Sequence, residues 1–179
     1  THLQNLWKRL PVHRGGQIIS LGEKLTRPSL SFYGMTIAHL GIALFIIGVS
    51  FSNTYSVEKD VRMELHKPVE LAGYSFIFEG TQSVPGPNYQ AEQGRVKVLN
   101  HGKEMTVLYP QKRIYQAQAM PMTEAAIDWG FTRDLYVALG EPLGSQGAWS
   151  MRIYYKPVIR WIWLGGLLMV LGGLLAVMD

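Results

Sequence analysis

The chain has 179 residues, a formal net charge of +4, 47% hydrophobic residues and no cysteine. The absence of cysteine excludes disulfides, thiolate zinc sites and covalent c-type haem attachment to this chain. The small positive charge indicates a basic flank beside a membrane and not a nucleic-acid-binding protein.

Residues 1–28 are predicted to form a cytoplasmic basic connector. They carry five basic residues against the single acidic Glu23, whereas residues 58–156 carry eleven of each sign. Basic residues accumulate on the cytoplasmic side of a membrane span. We therefore expect residues 55–157, beyond the first apolar run, to face the periplasm of a bacterium.

Two apolar runs predict transmembrane helices at residues 29–54 and 158–178. Residues 29–57 and 161–178 contain no charged side chain, and at about 1.5 Å per residue each run can cross roughly 30 Å of hydrocarbon. Trp161, Trp163, Lys156 and Arg160 are typical anchors at the start of the second span. Thr1 in place of a methionine, and Asp179 directly after an apolar run, indicate a piece of a longer protein.

Small residues recur along both apolar runs. Because small residues let helices approach closely in lipid, we expect both helices to belong to a larger bundle. The residues concerned are Gly34, Ala38, Gly41 and Gly48 in the first run, and Gly165, Gly166, Gly172 and Gly173 in the second.

The segment 55–157 is predicted to form a small antiparallel β-barrel or sandwich, which makes the chain an α+β membrane protein. Its runs rich in Val, Ile, Phe and Tyr are 56–63, 74–78, 95–99, 105–109, 135–139 and 148–155. Asn100-His101-Gly102 is predicted to be a hairpin turn. Residues 80–88 are predicted to be a loop because of their prolines, and residues 120–130 one helical turn.

His39 lies inside the first apolar run, in "YGMTIAHLGIALFIIGVSFS". A neutral imidazole in hydrocarbon costs free energy unless both its N–H and its lone pair are used. Three uses remain open: an interhelical hydrogen bond, a proton relay, or axial ligation of a haem iron. Helical spacing places four apolar residues on the face of the histidine: Met35, Ile42, Ala43 and Ile46.

Other candidate sites are weaker. None of the other four histidines has a second histidine three or four residues on, so we expect no metal site made within the chain. Sequence fingerprints of nucleotide binding or of a nucleophile with its base are absent. Six aromatic and basic residues of the β domain have two possible roles. They could form a surface that receives a carboxylate ligand or a peptide, or they could pack in the core like other aromatic residues on strands. They are Tyr89, Arg113, Tyr115, Trp149, Tyr154 and Tyr155.

Four stretches carry a resemblance to a known family. They are "YGMTIAHLGIALFIIGVSFSNTYSVEKDVRM", "GPNY", "MPMTEAAIDWGFTRDLYVALGEP" and "RIYYKPVIRWIWLGGLLMVLGGLLA". In order and spacing they resemble the C-terminal part of the CcmF and NrfE proteins, the large membrane subunits of the cytochrome c maturation haem lyase. The resemblance runs from about residue 25 to the end of the chain.

The resemblance implies a multi-pass protein of the bacterial inner membrane that holds a b-type haem between two membrane histidines. His39, in the "AHLG" stretch, matches one of these ligands. The implied partners are the rest of the subunit, the haem chaperone CcmE, apocytochrome c with its thiol-handling subunit, and the lipid bilayer. Nucleic acid is not among them.

This chain departs from the family in lacking the tryptophan-rich haem-handling segment, the periplasmic histidines beside it and the second membrane ligand. It therefore contains no complete active site, and its catalytic residues stay unassigned. We expect the C-terminal portion of a cytochrome c haem lyase (holocytochrome c synthase) complex. The alternatives are a non-catalytic scaffold or docking subunit of that complex, and a membrane-anchored β-module of another envelope complex.

Overall fold

The computed structural model describes residues 29–116, 118–144 and 147–178, so the connector predicted at 1–28 lies outside the described residues. Two long helices flank a β domain of ten strands along the chain. The helices are α1 (Leu30–Tyr55) and α2 (Ile159–Val177). The strands are β1 (Val57–Met63), β2 (Pro68–Leu71), β3 (Tyr74–Pro85), β4 (Tyr89–Asn100), β5 (Lys103–Leu108), β6 (Gln111–Tyr115), β7 (Gln118–Glu124), β8 (Ala126–Trp129), β9 (Arg133–Leu143) and β10 (Ala148–Pro157).

The strands form two antiparallel sheets. One has the order β1-β10-β9-β8, and the other has the order β2-β3-β4-β6-β7, with β5 also paired to β4. The predicted fold class is confirmed, and of its two versions the domain adopts the sandwich.

The core of the sandwich consists of large apolar side chains from both sheets. They occupy alternate positions along β3, β4, β9 and β10, as expected for strands with one face inside. The fully or almost fully buried members are Met63, Phe76, Phe78, Val96, Val98, Leu135, Val137, Leu139, Met151 and Ile153.

The prediction of a loop at residues 80–88 holds only for 86–88, the connection to β4; over residues 80–85 it is wrong, because β3 continues there. Its pairing with β4 extends to Pro85 opposite Gln90. A register shift between Phe78 and Gly80, where Gly80 has a φ of 124°, accommodates a bulge. Pro85 is tolerated because it occupies the last position of the ladder, where a missing N–H disrupts little.

The helical turn predicted at residues 120–130 is also wrong. This stretch forms β7 and β8, each of which lies at the edge of its sheet. An edge strand can accommodate Pro121, because one side of the strand needs no hydrogen bond. The short strands β2 and β6 were not predicted either.

The hairpin turn predicted at Asn100-His101-Gly102 is confirmed. Asn100 pairs with Lys103, which leaves a two-residue connection. Both connecting residues have positive φ, 49° at His101 and 76° at Gly102. Such a turn matches the twist of the two strands it joins.

The helices α1 and α2 have 26 and 19 residues and are long and apolar enough to cross a membrane. They lie against each other through glycines: a Cβ on Gly41 would stand 2.7 Å from the carbonyl oxygen of Gly165. Gly34 meets Gly172 in the same way. The small residues therefore do allow close approach. The helix that packs against the glycine stripe of α1 (Gly34, Gly41 and Gly48) is α2 of the same chain.

Candidate functional site

His39 lies on the face of α1 that points away from α2. It stands two residues before Gly41, and a rotation of about 100° per residue puts the two side chains about 160° apart around the helix. Its side chain is exposed, as are those of Met35, Ile42 and Ile46. The interhelical hydrogen bond considered from the sequence is therefore not made to α2.

The His39 ring is oriented by its own helix. Its Nδ1 atom lies 2.7 Å from the carbonyl oxygen of Met35, one turn earlier. Because a carbonyl oxygen only accepts, Nδ1 carries the proton and donates it. The lone pair is then on Nε2, which has no hydrogen-bond partner within residues 29–116, 118–144 and 147–178.

The hydroxyl of Thr36, three residues before His39, is used within its own helix. Thr36 donates its hydroxyl to the carbonyl oxygen of Phe32 at 2.8 Å. The imidazole therefore presents its lone pair on an otherwise apolar surface. Such a nitrogen can accept a proton or bind a metal, and metal-ligating histidines commonly donate their other N–H to a backbone carbonyl.

The depth of His39 follows from its place in α1. It lies nine residues after Leu30 and sixteen before Tyr55, so it stands about 24 Å along the helix axis from the β-sandwich end. Within the described part of the chain, no three His, Asp or Glu side chains lie close enough together to hold a metal ion. His39 is thus a single donor here, and a metal bound to it would need its other ligands from elsewhere.

The aromatic and basic residues that the sequence suggested as a binding surface lie on different parts of the sandwich. Arg113 lies 4.7 Å above the ring of Tyr89, near the tip of the β3–β4 hairpin. On the other sheet, Tyr154 and Tyr136 pack edge to face with the ammonium of Lys156 about 5.5 Å from both rings. The single receiving surface does not form.

A cluster that the sequence did not reveal lies where α2 begins. The guanidinium of Arg160 stands 4.7 Å from the ring centre of Trp129, and the rings of Phe131 and Trp161 are 5.8 Å apart. Arg160 also approaches the buried carboxylate of Asp134 at 3.5 Å. Only the β9–β10 hairpin brings these residues together, since they are some thirty positions apart in the chain.

Comparison with known proteins gives the family of this chain. A family profile described as the CcmF C-terminal beta-sandwich matches residues 54–157, which is more than half of the chain. The chain belongs to the CcmF family. The resemblance stated from its motifs is thereby confirmed.

CcmF proteins of two bacteria are similar over most of the chain. The protein of Pseudomonas aeruginosa is 52% identical over 93% of this chain and 24% of its own length. That of Escherichia coli is 52% identical over 90% of this chain and 24% of its own. The NrfE protein of Haemophilus influenzae is 36% identical over 89% of this chain and 25% of its own length.

A solved structure supports the fold. A structure titled cytochrome c heme lyase CcmF superposes with a TM-score of 0.69 over 84% of this chain and 25% of that one, at 20% identity. The chain spans about a quarter of the length of the CcmF relatives it matches.

Proposed function

We propose that this chain is the C-terminal part of a cytochrome c haem lyase subunit, and that His39 contributes a ligand to a buried b-type haem. Family membership and the names of the relatives, cytochrome c-type biogenesis proteins, support the first half. The orientation of the His39 ring carries the second half: Nδ1–H donates to Met35, and Nε2 is left on the outer face of α1.

The protein's contribution at this position is to hold the ring. The bond from Nδ1 to the Met35 carbonyl fixes the tautomer and the orientation of the ring, as an imidazole ligand requires. Exposed Met35, Ile42 and Ile46 make the surrounding face apolar, which suits a macrocycle and excludes water. A haem bound here would supply one-electron chemistry. Its second ligand would come from the rest of the subunit.

We further propose the placement of the chain in the bacterial inner membrane. Residues 29–54 and 158–178 cross the bilayer, residues 1–28 are cytoplasmic and residues 55–157 are periplasmic. The length and composition of both helices support the crossing, and the basic excess before α1 supports the orientation. The sandwich would then share a compartment with the haem chaperone, apocytochrome c and the thiol-handling subunit, the proposed partners in covalent haem attachment.

The test is a reduced-minus-oxidised optical spectrum of the membrane complex that contains this chain. We expect a b-type α-band in the wild type and its loss in His39→Ala, with the complex still assembled. His66→Ala is the matched control, because His66 lies in the sandwich. In His39→Gly, added imidazole should restore the band by filling the vacated space.

An unchanged band in His39→Ala, in an assembled complex, would mean that His39 binds no haem and has only a structural role. The chain would then act as a non-catalytic scaffold or docking subunit of the maturation complex. Absence of any haem in the purified wild-type complex would instead favour a β-module of another envelope complex.

A further inference from the structure

Residues 129–131 are the last residue of β8 and the first two of its connection to β9, and we call them the loop 129–131. This loop lies at the end of the sandwich from which both helices leave. Val57, two residues after α1 ends, pairs with Tyr155 near the end of β10. One register position further along, Asp134 pairs with both Lys156 and Trp129. The loop and the start of α2 therefore share one end of the four-stranded sheet.

This loop is fixed to the first turn of α2. The backbone N–H of Val158 donates to the carbonyl of Thr132 at 2.9 Å. Within the loop, the N–H of Gly130 donates to the carboxylate of Asp134 at 3.1 Å. With the Phe131–Trp161 ring contact, these bonds hold the loop at the level where α2 begins.

The large side chains of the loop point outward from the described chain. Trp129 is 69% exposed and Phe131 64%, and Trp163 in the first turns of α2 is 78% exposed. Exposed rings of this size leave apolar area in contact with water, at a cost of about 25 cal/mol per Å². A covering partner at this level of the molecule is therefore favourable.

The chemistry of the patch matches the headgroup layer of a bilayer. Tryptophan is enriched there because its ring is apolar and its N–H is polar. Arg160 beside Trp129, and Lys156 two strands away on β10, supply cations for lipid phosphates. Continuity with a helix long enough to cross the membrane favours lipid over a protein partner.

We propose that the loop 129–131, together with Arg160, binds the phospholipid headgroup layer of the leaflet on the sandwich side. The proposal rests on the membrane crossing by α2 proposed above. The contact gives the sandwich a second attachment to the bilayer besides the helix ends, and it restricts the tilt of the domain against the membrane.

Photocrosslinking in the assembled membrane complex tests the proposal. Benzoylphenylalanine is placed at Phe131, or at Trp129 as a second position, and adducts are identified by mass spectrometry after irradiation. We expect phospholipid adducts at both positions. The matched control is Ile114, 51% exposed on β6 at the other end of the sandwich, where no lipid adduct should form.

Adducts to another part of the subunit or to another protein at both loop positions would overturn the proposal, and so would no adduct at either. Benzoylphenylalanine at Leu167, 56% exposed on α2, reports separately on the proposed crossing. A lipid adduct at Leu167 without one at either loop position would contradict the proposed loop contact but agree with the proposed membrane crossing by α2. The b-haem spectrum of the same preparation reports on His39.

Discussion

The helix pair packs through small residues, whereas the sandwich packs through large ones. The buried residues of the helices are glycines and one serine: Gly34, Gly41, Gly48, Ser52, Gly165 and Gly172. The largest fully buried side chains of the sandwich are Phe76, Phe78 and Met63.

The two environments explain this difference. In water, burying a large apolar side chain removes apolar area from solvent, and this drives folding. In lipid the tails are as apolar as the side chains, so association depends on close van der Waals contact between backbones. A helix pair made for lipid should therefore be sensitive to enlargement of its small residues, and the sandwich to truncation of its large ones.

The largest expected effect is that of Phe76→Ala in the sandwich core. Phe76 is 0% exposed, so its truncation leaves a cavity as well as losing transfer free energy, at a cost of about 3–5 kcal/mol. The measurement is thermal or denaturant unfolding of the detergent-solubilised protein, followed by near-UV circular dichroism.

Phe131→Ala is the control, because it removes the same atoms from a ring that is 64% exposed. We expect a much smaller change in the unfolding transition. Equal losses in the two variants would contradict the assignment of the sandwich core as the main source of stability.

The next effect in size is that of Gly41→Leu between the helices. A Cβ at this position would lie 2.7 Å from the Gly165 carbonyl oxygen and 2.8 Å from the Met169 nitrogen. Both are backbone atoms, so the helices must move apart, at a cost of about 1–3 kcal/mol or more. Spin labels on Leu40→Cys and Leu174→Cys, both exposed positions, measure the helix separation by pulsed EPR.

Gly166→Leu is the matched control, since a Cβ built there has nothing within 4 Å among the described residues apart from its chain neighbours and the adjacent backbone of its own helix. Its label distances should equal those of the parent. Unchanged distances in Gly41→Leu would show that the glycine contact does not determine how the helices are packed.

The sequence predicted those features that depend on local residues. The charge-free runs predicted both helices. The glycine in Asn100-His101-Gly102 predicted the hairpin turn there. The position of His39 opposite the glycine stripe follows from helical spacing alone, because His39 and Gly41 are two residues apart. What spacing does not provide is the bond to Met35, which depends on the rotamer of the imidazole.

The missed features depend on residues far apart in the chain. The second half of β3 is a strand because β4 pairs with it, although its own prolines favour a loop. The strands β6, β7 and β8 are short and lack a run of β-branched residues, so pairing and not propensity defines them. Trp129 reaches Arg160 only through the β9–β10 hairpin.

The smallest expected effect on stability is that of a charge cluster on the sandwich, formed by Glu79, Arg95 and Lys97. The charge-free α1 has no contact of this kind. Hydrogen bonds and charge from Lys97, with Arg95, hold the pKa of Glu79 below its usual value. The Glu79 carboxylate lies 3.1 Å from the Lys97 ammonium and 2.6 Å from Nε of Arg95. Because the pKa is lowered in the folded state, its contribution to stability is present above the unfolded-state value of about 4.3 and disappears as pH falls through the folded-state pKa.

Glu79→Gln should therefore lower the unfolding midpoint slightly at pH 7, by less than either substitution above, and the difference from wild type should shrink below about pH 4. Unfolding midpoints of both proteins at pH 7 and at lower pH give the comparison. Glu92→Gln is the control, since Glu92 is exposed and has no ion pair among the described residues. A difference that stays constant with pH would mean that Glu79 acts through packing, and the sandwich, like the helix pair, would then owe this part of its stability to shape and not to charge.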